Sequence, residues 1–217
     1  MRLCAIACAA IVLGGTAATA HAVAQAEIVR RVQERFDATT DFTAAVDQEL
    51  VVASAGKTVH ATGTVAFKRP GKMRWKLSDG GTQIIVADGS TLWFYQPDEK
   101  QVLKAPFQSA FRSSTPISFL TGVGRLSEDF DVTLDGEGEG RLFLALRARK
   151  AEGELGRLRL TVDARTYDVV GAEVFDPVGN ITRLRFSDVR RNIGLDDAQF
   201  RFDVPAGVDV VEAPIGN

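Results

Sequence analysis

Few residues in this 217-residue chain have the types and spacing that bond-making chemistry requires. There are two histidines, His21 and His60. A Ser-His-Asp relay places an imidazole between a nucleophile and an acid, and only His60 lies clear of the N-terminal segment. It occupies a polar position of an alternating run, which reads as a solvated strand residue. One imidazole is also too few for a histidine zinc site. Cys4 and Cys8 both fall in the apolar start of the chain. The remainder therefore has no thiol for a disulfide, a thiolate metal site or a nucleophile. The acidic run Asp135-Gly136-Glu137-Gly138-Glu139 lacks the ligand spacing of a calcium loop and reads as a hairpin tip. Gly122-Val123-Gly124 lacks the third glycine and the strand-to-helix setting of a phosphate loop. The basic cluster of Lys68, Arg69, Lys72, Arg74 and Lys76 would suit an anionic ligand, but its alternation reads as the wet face of a strand. No nucleophile and base pair for a lipid hydrolase is found. The expectation is a protein that is not an enzyme and needs no metal or cofactor.

Twenty-six basic against twenty-eight acidic side chains leave a formal net charge of -2, so no global field draws nucleic acid. The composition, 45% hydrophobic and 25% charged, is that of a globular protein rather than a disordered one. Thirteen Phe against two Tyr and two Trp tilt the aromatic set toward rings without a polar handle. Such a set favours dry surface.

The elements that position these residues begin after a leader. Met1-Arg2 is a short basic start, and Leu3 to Gly15 is uncharged and apolar or small. Small-residue cleavage patterns follow at Ala18-Thr19-Ala20, Ala20-His21-Ala22 and Ala22-Val23-Ala24. The segment 1–24 reads as a cleaved secretory signal, with the cut between Ala20 and Ala26. The apolar run is shorter than the roughly 20 residues that span a bilayer. A lipobox needs Leu three residues before its cysteine, and Cys8 has Ala5 there. A soluble, exported, monomeric protein without a lipid anchor is expected, with 25–217 as one domain.

Ile28, Val32 and Phe36 recur at four-residue steps and predict an amphipathic helix over Ala26–Ala38. From Asp41 the period becomes two. Strands are predicted over 42–50, 59–68, 72–77, 82–87, 91–96 and 100–105, then over 129–135, 141–149, 156–163, 168–175 and 181–190. That makes eleven strands, six before residue 106 and five after, in an antiparallel meander that must close or curl to hide its edges. Between them, Pro106 to Ser127 is apolar without alternation. Pro116 suits the start of a short helix, and Gly122 and Gly124 suit its end. The excess of apolar surface points to a concave sheet face covered by two helical segments, with either a filled core or a lipid-sized cavity beneath.

The stretch Phe67-Lys68-Arg69-Pro70-Gly71-Lys72-Met73-Arg74-Trp75 resembles the most recognisable segment of LolA, the periplasmic lipoprotein carrier family of Gram-negative bacteria. Ile84-Ile85-Val86-Ala87-Asp88-Gly89, Thr91-Leu92-Trp93-Phe94-Tyr95-Gln96-Pro97 and Gln101-Val102 continue the likeness in order. Thr115-Pro116-Ile117-Ser118-Phe119-Leu120 looks like the family's lid, and Phe200 to Val210 looks like its ending. The resemblance implies an unclosed, mainly β barrel of about eleven antiparallel strands with an α lid. It implies that acyl chains of lipoproteins occupy the cavity. It further implies hand-over from an inner-membrane LolCDE-type ATP-binding transporter to an outer-membrane LolB-type receptor. A lipid-sensing or general lipid-binding module of the same fold is the alternative. Arg69 resembles the family's lid-contacting arginine, whose fork would bond helix-end carbonyls. Family members often have an aromatic where Met73 stands, on the edge that engages the transporter. Expected cavity residues are Val65, Phe67, Met73, Trp75, Leu77, Trp93, Ile117, Phe119 and Leu120. The C-terminus stops soon after Val211, so no additional terminal strand is expected.

Overall fold

The computed structural model describes residues 16–79, 81–110, 125–149 and 157–213. Its centre is β1 (Asp41–Val52), flanked antiparallel by β2 (Lys57–Lys68) on one side and β11 (Ile181–Arg191) on the other. From β2 the chain meanders outward through β3 (Lys72–Ser78), β4 (Gln83–Asp88), β5 (Thr91–Gln96) and β6 (Gln101–Pro106). It then returns from the far side through β7 (Phe130–Gly138), β8 (Arg141–Ala148), β9 (Leu158–Asp163) and β10 (Val169–Phe175) to β11. These are the eleven strands predicted from alternation and from the turn signals between runs.

A twelfth strand, β12 (Asp209–Glu212), corrects the expectation that no terminal strand is present. It pairs parallel with β6, Val210 beside Val102 and Val211 beside Leu103, so the sheet is not purely antiparallel. Without it the β6 backbone would be an open edge. Asp209 N donates to Lys100 O at 2.9 Å and Ala213 N to Lys104 O at 2.8 Å, closing both ends of the pairing. The β-branched Val210 and Val211 suit the strand, although four residues are too few for alternation to reveal it. The sheet of twelve strands runs from β12 to β7 as its two edges and is not closed among the described residues.

The sheet is curled. β3 and β11 are three strand spacings apart, about 14 Å on a flat sheet, yet the Trp75 and Phe186 ring centroids are 6.4 Å apart. Gly63 permits part of that bend. A Cβ there would meet Lys76 O at 1.9 Å, so β2 and β3 approach more closely than any side chain allows.

Helix α1 (Thr16–Asp37) lies across the concave face. It begins ten residues before the predicted start at Ala26, because the Ala-rich stretch before Ala26 holds no Gly or Pro to break it. Val32 is 1% exposed, and Ile28, Val29 and Phe36 pack around the same core. Two four-residue helices, α2 (Phe107–Ala110) and α3 (Leu126–Asp129), bracket the predicted helical insertion. Pro116, Gly122 and Gly124 lie outside the described residues.

The convex face carries a second, smaller core. Val86 and Val102 are fully buried there, beneath a strap formed by residues 192–203. Phe200 is 1% exposed, and Phe202 lies 6.0 Å from the Trp93 ring and 5.6 Å from that of Tyr95. The basic cluster therefore does not simply face water. Lys68 and Lys72 each reach Asp197 at 2.6 Å, and Arg74 Nη1 donates to Gln199 O at 3.2 Å. Bonds from both lysines hold the Asp197 carboxyl down at about 2.

Gly63→Ala is expected to destabilise the protein by at least ~1–3 kcal/mol, through a backbone clash rather than lost burial. Urea unfolding would measure it. An unchanged midpoint would mean that β2 and β3 need no such approach.

Candidate functional site

Val65, Phe67, Met73, Trp75 and Leu77 share the concave face, because β2 and β3 pair Val65 with Trp75, Phe67 with Met73 and Gly63 with Leu77. All five are 1–5% exposed and belong to one core cluster with Val32 of α1. Met73 is thus a buried residue here rather than one presented at an edge. Phe67 stacks on Phe42 at 4.8 Å and meets Trp75 edge-on at 6.3 Å. From this wall the same face continues across Leu144, Leu160 and Leu184 on the other half of the sheet.

Trp93 is a correction. It pairs with Val86, which pairs with Arg74, so it shares the convex face with Arg74 and not the concave face with Trp75. The run Thr91–Gln96 has apolar or aromatic residues on both phases, Leu92 and Phe94 on one, Trp93 and Tyr95 on the other. Both faces of β5 are covered, so alternation could not choose between them. Ile117, Phe119 and Leu120 lie outside the described residues.

Arg69, in the turn after β2, reaches the C-terminal end of α1. Its Nη2 donates to Phe36 O at 2.8 Å, its guanidinium lies 4.1 Å from the Phe36 ring centroid, and Asp37 is 3.7 Å from Nη1. A cation at the carbonyl end of a helix meets the negative end of its dipole. Burial lowers the Arg69 pKa, which the Asp37 charge only partly offsets.

A second fastening faces it, made by residues that sequence patterns do not single out. Asp168, 8% exposed, accepts from Arg35 Nε at 2.5 Å and pairs with Arg191 Nη1 at 2.9 Å. Asp168 thereby raises the Arg35 pKa, while burial lowers that of Arg191. Asp41, also buried, accepts from Ile193 N at 2.8 Å and Gly194 N at 3.2 Å and ties the start of the strap to β1. On the other flank of α1, Gln33 Oε1 accepts from Leu126 N at 2.8 Å. Gln25 bridges Val132 O and Leu134 N at 3.0 and 3.1 Å.

Between these fastenings a cleft opens beneath the last turns of α1. Its floor is Val32, Phe36, Phe42, Phe67, Phe186 and Val189, and Arg35, Arg69, Asp168 and Arg191 stand at its rim. The enclosed part of the cleft is small, about 60 Å³, and the space reaches about 650 Å³ only when its open mouth is counted. An apolar floor with a mixed-charge rim suits an apolar chain with a polar end. Among the described residues no cluster of three or more His, Cys, Asp or Glu is placed to hold a metal ion.

The chain matches the family model described as outer membrane lipoprotein carrier protein LolA over residues 37–203. It is 31% identical to an outer-membrane lipoprotein carrier protein of Dechloromonas aromatica, covering 87% of this chain and 89% of that one. It is 32% identical to the protein of the same name from Pseudomonas aeruginosa, covering 94% and 95%. Among solved structures, an uncharacterised conserved protein from Thermus thermophilus superposes with a TM-score of 0.55. The two share 17% identity, over 87% of this chain and 98% of that one. This last likeness speaks for the fold alone.

The two fastenings should respond differently to mutation. Asp168→Asn leaves the half-buried Arg191 facing a neutral amide, while Arg35 stays solvated, and should cost about 1–3 kcal/mol. Arg69→Leu loses one bond but relieves a desolvated charge, so stability should move by no more than about 1 kcal/mol. Hydrogen exchange at Ala38 and Thr39, the end of α1, should nonetheless quicken. Equal losses of stability in the two variants would show that Arg69 is a core fastening rather than a local one.

Proposed function

Because the chain belongs to the LolA family of outer membrane lipoprotein carrier proteins, we propose that it carries lipoproteins through the periplasm with their acyl chains under α1. In this reading residues 1–24 are removed on export. The mature domain then takes its cargo from an inner-membrane transporter of the LolCDE type and yields it to an outer-membrane receptor of the LolB type. No step requires catalysis by this chain. The observation that carries the reading is a curled apolar sheet face covered, among the described residues, by α1, with a cleft opening beneath that helix.

The energetics explain why such a protein is needed. Each acyl CH₂ gains about 0.8 kcal/mol on leaving water, so a ~16-carbon chain carries roughly 13 kcal/mol. A lipoprotein with two or three chains does not cross an aqueous compartment unaided. A carrier must match that gain without exceeding it, because no nucleotide drives release on the far side. The exchange of one apolar cover for another does this. The helix leaves Phe42, Phe67 and Phe186 as the chains arrive, and returns as they depart. Arg69 then sets the balance, since its bond to Phe36 O exists only while α1 is seated.

Native mass spectrometry of the protein isolated from periplasm is the test. The expected spectrum shows the mature chain together with lipid-modified polypeptides of several masses. In the Arg69→Leu protein the loaded fraction should persist after receptor is added. A spectrum holding only the bare chain or free phospholipid would contradict the carrier reading.

A further inference from the structure

Trp75 carries a polar group that none of the described residues engages. Its indole Nε1 is buried and has no hydrogen-bond partner among the described residues. The ring stands on the concave face, across from Val65 on β2 and Ile85 on β4, with the Phe67 and Phe186 rings at 6.3 and 6.4 Å. None of these side chains offers an oxygen. The two phenyl rings meet the indole at 89° and 72°, and a ring face is a weaker acceptor than a carbonyl.

A buried donor without an acceptor is destabilising, and buried tryptophans ordinarily find one. Phenylalanine is the chain's common aromatic, with thirteen copies, and would cover this face without the unmet N–H. A lone donor in a dry compartment matches a ligand that brings a lone acceptor into it. Acyl chains enter such a compartment attached through ester carbonyls, which accept hydrogen bonds and donate none. Water would need further polar partners to stay there, and the described neighbouring side chains, Val65, Ile85, Phe67 and Phe186, supply none.

We propose that the Trp75 indole N–H donates to an ester carbonyl of the diacylglyceryl group of the bound lipid. This rests on the carrier reading and adds the chemical feature by which the site recognises its ligand. The apolar face accepts any chain, whereas the indole favours one joined through a carbonyl. It also fixes depth, because the carbonyl marks where the hydrocarbon begins. Trp75 is in this sense a specificity-determining residue and not merely lining. Trp75 sits behind Phe67 and Phe186, which line the cleft, so the glycerol end lies inside the curl and the polypeptide leads out through the cleft.

The test compares two synthetic lipopeptides on the mature chain. Both carry an S-glyceryl cysteine followed by the same short peptide. One bears two palmitoyl esters and the other two hexadecyl ethers, which lack the carbonyl. Wild type should bind the ester form about threefold to tenfold more tightly, the range one net hydrogen bond supplies. Trp75→Phe should abolish that preference while still binding both. Replacement of Trp75 by 3-benzothienylalanine, which keeps the ring volume and loses only the N–H, should do the same and separates the bond from packing. Equal affinities in wild type, or a preference that survives both replacements, would overturn the assignment while leaving the carrier reading intact. Failure of wild type to bind either lipopeptide would remove the carrier reading and this inference together.

Discussion

Everything in this molecule depends on how a curved apolar face is covered. A sheet that brings Trp75 and Phe186 within 6.4 Å across three strand spacings has a concave side that cannot be left to water. Among the described residues α1 does most of the covering, through Ile28, Val29, Val32 and Phe36. Those contacts are non-directional and can be exchanged for any apolar surface. The directional contacts lie at the margins of the helix. Arg69 and the Arg35–Asp168–Arg191 cluster hold its C-terminal end, and Gln25 and Gln33 hold its flank. Few polar bonds therefore set the seat of an element whose apolar contacts are replaceable.

The opposite face makes that exchange tolerable. Val86, Val102 and Phe200 form a filled core on the convex side of the β3–β6 half. Asp197 between Lys68 and Lys72 pins the strap over it. On the other half, Arg159, Glu173, Arg183 and Glu49 alternate in sign across β9, β10, β11 and β1. Both halves of the sheet are thus braced from outside, independently of what lies within. The concave face can change its cover without the strands losing their register.

Period two was legible where a strand has one dry and one wet phase, and turn signals marked the shorter strands where it does not. On β2 and β3 the period placed Val65, Phe67, Met73, Trp75 and Leu77 on one face. It failed at Trp93, where both faces are covered and the phase carries no information. It failed at β12, too short for a period and defined by the parallel edge it completes. The charged fastenings were not legible either. Asp168 and Arg35 are 133 residues apart in sequence, and nothing local marks either one. Arg69 was reached only through the family resemblance, because an arginine after a strand is otherwise an ordinary exposed residue.

The central claim is that α1 yields its place to lipid while the sheet stays as it is. The chain suits spin labelling, since Cys4 and Cys8 both precede residue 25. Glu34 on α1 and Lys76 on the convex side of β3 are both exposed. Labels at Glu34→Cys and Lys76→Cys report the separation of helix and sheet by pulsed electron spin resonance. The account predicts one distance in the empty protein and a distinctly longer one when a diacylated lipopeptide is bound, with the β-sheet circular dichroism unchanged. A bound state that keeps the empty protein's distance would contradict it.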